Sequence, residues 1–134
     1  MYILIDNKMV VAFIYIINYK KMSFVLYLAT NKRKRNKWYG SYLLNWFTEN
    51  NQKRDIFVNI EEINDEYEDN ILRKKKLAFY LKNKFFSTGY LSVEKDGNFD
   101  ILSTKRSFYL NDYINLDAKI ASNFICSVAV VTKK

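Results

Sequence analysis

The chain has 134 residues, 49% hydrophobic and 17% aromatic, which excludes a disordered protein because so much apolar surface can be buried in a core. It contains no histidine and one cysteine, Cys126, which excludes an intramolecular disulfide, a Cys/His zinc cluster and a histidine-based catalytic triad. The net charge of +8 favours an anionic partner, and nucleic acid, an anionic membrane and a phosphorylated cofactor are all open at this point.

The first thirty residues predict a β-hairpin followed by a buried strand. Residues 2–5 and 10–18 are rich in β-branched and aromatic side chains and flank the polar turn Asp6-Asn7-Lys8. Residues 23–30 are almost continuously apolar, which predicts a central strand that is buried on both faces. The N-terminus lacks a secretory leader and the longest apolar run, 9–17, is too short to span a bilayer, so we expect a cytoplasmic protein.

The middle of the chain alternates between strands and helices. Residues 31–39 form a basic loop, and the periodicity of Leu43, Leu44 and Phe47 predicts a helix from 40 to about 51. Residues 55–60 predict a strand, 61–69 an acidic connection, and 70–84 a second helix. This alternation indicates a layered α/β domain.

The last third of the chain predicts an antiparallel strand pair, 86–93 and 99–103, joined across an Asp96-Gly97 turn. Beyond residue 105 we expect a short helix over 117–124 and an apolar terminal run over 126–131. No repeat, linker or domain boundary interrupts the sequence, so we expect residues 1–134 to form a single domain.

The segment from Arg35 to Ser41 has the features of a phosphate site. It follows a buried strand, is basic, and opens a helix, whose first backbone N–H groups and positive dipole end attract an anion. The alternative interpretation of residues 32–37 is a solvated charged loop without a binding function.

Three motifs together resemble the GNAT acetyltransferases over about residues 2–103. The strand end Leu28-Ala29-Thr30 and the loop from Arg35 to Gly40-Ser41 resemble the family's acetyl-CoA loop. The family pattern of that loop is Arg or Gln, then any two residues, then Gly, then one further residue, and then Gly or Ala. Residues 79–85, Phe-Tyr-Leu-Lys-Asn-Lys-Phe, resemble its Phe-Tyr-x-x-x-Gly-Phe segment, and a strand that ends at Glu61 resembles the fifth strand of a bacterial subgroup.

The resemblance implies a fold and a set of site residues. The fold is a single α/β domain with a central, mostly antiparallel sheet flanked by helices, in which acetyl-CoA binds between two splayed central strands. Tyr80 is the implied general acid and Glu61 the implied base. The implied cofactor-binding residues are Leu28, Ala29, Thr30, Arg35, Asn36, Lys37, Trp38, Tyr39, Gly40, Ser41 and Arg73.

The implied reaction is direct transfer of an acetyl group from acetyl-CoA to an amine, without a metal. The acidic connection at 61–69 lies where the family's fifth strand opens towards the acceptor, which favours a cationic amine. From the residues alone, Tyr80 could equally be a core aromatic and Glu61 a solvated carboxylate at a strand end.

The sequence departs from the family pattern at three places. Trp38 replaces the first loop glycine, which predicts strain if that position needs positive φ, and crowding of the pyrophosphate. Lys84 replaces a glycine at a helix end, where an αL residue is usual and lysine is tolerated at modest cost. The family's first strand and first two helices have no counterpart, and a homodimer or the unassigned segment 106–134 could cover the sheet edge.

Two other functions stay open. One is a degenerate GNAT-like module that binds CoA or a protein without turnover. The other is a nucleic-acid-binding protein, for which the acidic connection makes a continuous basic groove harder to build.

Overall fold

The computed structural model describes residues 1–34, 38–106, 110–123 and 130–133. These residues form a seven-stranded sheet of order β1-β2-β3-β4-β6-β5-β7 and three α-helices. In chain order the elements are β1 Tyr2–Asp6, β2 Met9–Tyr19, β3 Met22–Thr30, α1 Tyr39–Glu49, β4 Asp55–Glu61, α2 Asn70–Lys82, β5 Phe86–Glu94, β6 Gly97–Ser103, α3 Leu110–Asn123 and β7 Val130–Lys133. The backbone divides into two compact units, Met1–Val58 and Asn59–Lys134.

The first unit is an antiparallel meander of β1, β2 and β3 with α1 packed on it. Its core is apolar, with Ile14, Leu44 and Phe57 fully buried. The β1–β2 loop has two residues, Asn7 and Lys8, both with positive φ (50° and 62°), as a type I′ hairpin turn requires. The predicted hairpin is confirmed.

The turn between β2 and β3 is held by Arg54. Its guanidinium donates to the backbone carbonyls of Lys20 (3.0 Å) and Met22 (2.6 Å) and to the Ser23 hydroxyl (2.7 Å). These bonds fix the N-terminal end of β3 at the point where β4 begins to pair with it.

Strand β3 is central, as predicted, but it is not buried along its whole length. It pairs with β4 in parallel through three residue pairs, from Met22↔Asp55 to Phe24↔Phe57. Met22–Val25 are buried, whereas the rest of the strand is half-buried and Tyr27 is 62% exposed. The prediction of burial on both faces is therefore wrong for the C-terminal half of the strand, where alternation to an exposed residue at Tyr27 leaves one face accessible.

The second unit contains the predicted β5–β6 pair, with a shorter turn than expected. Glu94 pairs with Gly97, so only Lys95 and Asp96 lie between the strands. Gly97 has φ +141°, a conformation that favours glycine. The strands therefore extend to Glu94 and from Gly97.

Helix α3 begins seven residues earlier than the predicted helix at 117–124. Tyr113 and Leu116 lie three residues apart on one face of this helix and are both 1% exposed. The prediction of the helix start missed this apolar repeat. β7 pairs antiparallel with β5; most of the predicted apolar run at 126–131, including Cys126, lies outside the described residues. None of the helices, over the parts described, is long and apolar enough to cross a membrane.

Candidate functional site

The C-terminal half of β3 places Leu28, Ala29 and Thr30 along one strand edge. They are half-buried and pair on one side with residues 12–14 of β2. On the other side the β4 register ends at Phe24, so within the described ranges these three residues have no β4 partner. A free strand edge can hydrogen-bond an extended ligand through its backbone.

The start of α1 follows this edge. The N-cap residue is Trp38, which makes no side-chain cap hydrogen bond, and no acidic residue lies in the first turn. Lys32 and Arg33 precede it and are exposed. The predicted residues Arg35, Asn36 and Lys37 lie outside the described residues.

Trp38 does not carry the strain that we expected. Its φ of −66° lies in the ordinary range for a bulky residue, so the backbone here does not need glycine. The indole is 66% exposed, and its ring centroid is 5.5 Å from those of Tyr39 and Tyr42. What the substitution adds is therefore exposed bulk beside the helix start.

Tyr39 and Gly40 are buried in the first turn of α1. The Tyr39 hydroxyl donates a hydrogen bond to the Asp6 carboxylate, and this bond, with burial, raises the pKa of the tyrosine. The side chain thereby ties the helix start to β1. A cofactor contact at this position would therefore use the backbone, together with the backbone and hydroxyl of the half-buried Ser41.

Tyr80, the predicted general acid, is 3% exposed on α2. The rings of Phe79 and Phe85 meet it edge-on at centroid distances of 5.2 and 5.4 Å. Burial raises the pKa of its hydroxyl to about 12, and the phenol is protonated at neutral pH, as an ordinary tyrosine also is. A protonated phenol can donate to a developing anion.

The end of α2 fixes Tyr80 through a Schellman motif. The Phe85 amide donates to the Tyr80 carbonyl (3.1 Å), the Lys84 amide donates to the Leu81 carbonyl (3.2 Å), and the Tyr80 and Phe85 rings make the accompanying apolar contact. Lys84 has φ +70°. The prediction that lysine occupies an αL position here is confirmed.

Glu61, the predicted base, ends β4 and forms an ion pair with Arg73 of α2. Oε2 of Glu61 lies 3.0 Å from Nη2 of Arg73, and the Glu61 side chain is 44% exposed. Arg73 and Tyr80 are seven residues apart, on the same face of α2. The second unit thus brings Glu61 and Arg73 into contact and places Tyr80 two turns along the same helix.

The acidic connection between β4 and α2 is ordered by polar contacts of its own. The buried Asn70 side chain accepts from the Asn64 amide (2.9 Å) and donates to the Asp65 carboxylate (3.0 Å). Glu62 exchanges a backbone and a side-chain hydrogen bond with Asn98. Four acidic residues of the connection are exposed, namely Asp65, Glu66, Glu68 and Asp69.

Sequence reasoning missed two tertiary hydrogen bonds. Tyr39 reaches Asp6, and Asn59 bonds the buried Tyr113 hydroxyl of α3 at 2.7 Å. For the second bond the available signal was Asn59, a polar residue within the largely apolar strand β4, since a polar group that is shielded from solvent needs a partner. Among the described residues no group of acidic or cysteine side chains is arranged to hold a metal ion.

No protein-family model matches the chain, and no curated protein matches its sequence. Solved structures do match. A Bacteroides thetaiotaomicron protein assigned to the GNAT acetyltransferases matches with TM-score 0.64 and 22% identity, over 90% of this chain and 69% of that one.

Two further solved structures match as well. An Enterococcus faecium aminoglycoside 6'-N-acetyltransferase matches with TM-score 0.57 and 17% identity, over 80% of this chain and 72% of that one. A Bacillus subtilis acetyltransferase solved with CoA matches with TM-score 0.55 and 11% identity, over 73% and 70%. These matches confirm the fold expected from the motifs: the chain has the fold of the GNAT N-acetyltransferases.

Proposed function

We propose that the chain is an acetyl-CoA-dependent N-acetyltransferase that acts on a cationic amine. The observation that carries the proposal is the strand β3, which continues for six residues beyond its last β4 partner and leads through a basic segment to a helix start without a side-chain cap. Proteins that share the fold are named as acetyltransferases, and some were solved with CoA.

In this proposal, β3 and the start of α1 hold the cofactor. The backbone of Leu28–Thr30 pairs with the extended amide-containing arm of CoA, and the first-turn amides of α1 bind its phosphates. Arg35, Asn36 and Lys37 complete the phosphate site, and the exposed Lys32 and Arg33 attract the anion from a distance.

Glu61 and Tyr80 supply the acid–base groups. The ammonium of the acceptor first loses a proton to Glu61, directly or through water, and the neutral amine nitrogen then attacks the thioester carbonyl. A C–N bond forms, the C–S bond breaks, and Tyr80 donates its proton to the departing thiolate. The second proton that the nitrogen sheds as it becomes an amide returns to the Tyr80 oxygen.

The acceptor is assigned by charge. Residues 61–69 contain six carboxylates and no basic residue, in a chain of net charge +8, so the local field attracts cations. One match with the same fold is named for aminoglycosides, a class of amine-bearing sugars.

The proposal is tested by titrating acetyl-CoA into the protein in a calorimeter, and then following thiol release with a polyamine, a neutral amine and an acidic amine. We expect acetyl-CoA to bind and to raise the melting temperature, since a ligand specific for the native state stabilises it. Thiol release should be fastest with the polyamine. No binding at millimolar acetyl-CoA would overturn the proposal.

A CoA-binding module without turnover is the second candidate. It is favoured by the exposed Trp38 indole beside the helix start and by the Arg73 ion pair that occupies one Glu61 oxygen. Saturable CoA binding with no thiol release above the buffer rate, for any amine, would establish this candidate instead.

A further inference from the structure

Within the described part of the chain, the Arg73 guanidinium makes four contacts, and they all lie between residues 61 and 69. Nη2 is 3.0 Å from the Glu61 carboxylate, Nη1 donates to the Glu62 carbonyl at 3.0 Å, and Nε donates to the Asp69 carboxylate at 2.8 Å. The guanidinium carbon lies 3.9 Å from the centroid of the Tyr67 ring. One side chain therefore joins both ends of the acidic connection and its middle.

Burial separates this network from ordinary surface ion pairs. The Arg73 side chain is 17% exposed, whereas its partners Glu61 and Asp69 are 44% and 48% exposed. The neighbouring Lys74 shows the ordinary case: it is 58% exposed and lies 3.6 Å from an Asp65 side chain that is 92% exposed. Exposed pairs of that kind contribute little, while a planar fork with stacking fixes geometry.

The geometry points to Arg73 as a positioning residue for the acceptor side. It holds the Glu61 carboxylate and the acidic connection in one arrangement, and it neutralises two of the six carboxylates while Glu66 and Glu68 face solvent. The inference rests on the proposed function and names which residue fixes its acceptor site.

This role differs from the cofactor contact predicted for Arg73. A guanidinium with Glu61, Asp69, the Glu62 carbonyl and the Tyr67 ring around it would have to exchange these contacts for a cofactor phosphate. A positioning role instead requires fork geometry, which lysine lacks although it carries the same charge.

The test compares Arg73→Lys, Arg73→Gln and the control Lys74→Gln with the parent protein. Amide hydrogen exchange of a peptide over residues 61–70 reports order in the connection, calorimetry reports CoA affinity, and thiol release with a polyamine reports kcat/KM. Urea unfolding shows that each variant is folded at the exchange temperature.

We expect both Arg73 variants to exchange this peptide about tenfold faster, because the contacts that close the connection are lost. Their kcat/KM should fall about tenfold with CoA affinity unchanged, and Lys74→Gln should behave as the parent. Parent-like exchange in Arg73→Lys would overturn the inference in favour of a charge effect. A loss of CoA affinity with unchanged exchange would overturn it in favour of a cofactor contact. If the parent shows no turnover with any amine, the proposed function fails, while exchange and CoA affinity still decide how Arg73 acts.

Discussion

The starts of α1 and α2 are built alike and charged oppositely. Each helix follows one of two strands that run parallel, β3 and β4. The connection before α1 contains five basic residues within 32–37 and no acid, whereas the connection before α2 contains six acids within 61–69 and no base. Neither helix start has a side-chain cap hydrogen bond.

The two starts are also held in different ways. α1 buries five of its eleven residues, and Tyr39 ties its first turn to β1. α2 buries two of its thirteen residues, and the Arg73 and Asn70 networks order the segment before it. The fold thus uses a strand-connection-helix arrangement twice, and the two connections carry opposite charge. Connections of opposite charge attract ligands of opposite charge.

The largest expected effect comes from removing one hydroxyl on α2. If Tyr80 of α2 is the catalytic acid, Tyr80→Phe should lower kcat about a hundredfold and leave CoA affinity unchanged. The reason is that the proton is needed only as negative charge develops on the thioester sulfur. Thiol-release kinetics and calorimetry measure the two quantities. The control is Tyr15→Phe, on a half-exposed tyrosine of β2. Equal losses in both variants would remove Tyr80 from the chemistry.

The stability of the protein at alkaline pH tests whether the Tyr80 hydroxyl is shielded from solvent, as its burial on α2 indicates. Its pKa rises from 10.0 to about 12 in the folded chain because burial disfavours the phenolate. The associated stability is fully present below pH 10 and is lost as pH rises through 12. Across that window it amounts to roughly 2–3 kcal/mol. Tyr39, whose pKa is also raised, contributes an alkaline loss to both proteins. Urea unfolding at several pH values should therefore show a loss that is larger in the parent than in Tyr80→Phe by this amount; parallel profiles would mean that the Tyr80 hydroxyl is solvated.

Substitutions that remove charge before α1 or before α2 test whether the two helix starts select different ligands. Lys32→Gln with Arg33→Gln should weaken CoA binding about fivefold at low salt and leave the polyamine KM unchanged. Glu66→Gln with Glu68→Gln should raise the polyamine KM by a similar factor and leave CoA affinity unchanged. Both effects should shrink at high salt. If either pair changes both constants alike, the two starts do not select different ligands.

The smallest expected effect is a gain in stability at the end of α2. Lys84 is exposed and has φ +70°, so Lys84→Gly relieves backbone strain without loss of packing and should raise the free energy of unfolding by about 1 kcal/mol. The matched control is Lys76→Gly, at an exposed position in the interior of α2, which should lower the free energy of unfolding by about the same amount. A gain in both variants would contradict the αL assignment.

The sequence predicted most elements of the sheet because their signals are local. The Asn7-Lys8 turn and the apolar period of α1 each depend on neighbouring residues, and both appear close to their expected positions. The start of α3 was missed, although Tyr113 and Leu116 carry its apolar repeat. The whole of β3 was expected to be buried, and its C-terminal half is not, because an apolar run does not reveal how much of a strand the rest of the chain covers.

The candidate site was less accessible to sequence reasoning. Tyr80 and Glu61 were named through the family resemblance, and their roles stay predictions. The four contacts of Arg73 join residues up to twelve positions apart, and their geometry follows from how the connection folds back on the helix. The absence of strain at Trp38 likewise depends on a backbone angle that residue identity does not fix.

The short parallel register between β3 and β4 has a consequence for folding kinetics. Its partners, such as Met22 and Asp55, are about 33 residues apart in sequence, whereas the hairpins β1–β2 and β5–β6 close across two-residue turns. The hairpins can form in microseconds, but the parallel contact must wait for closure of a long loop that includes α1. Until then the apolar β3 lies at a sheet edge, so refolding yield should fall as protein concentration rises.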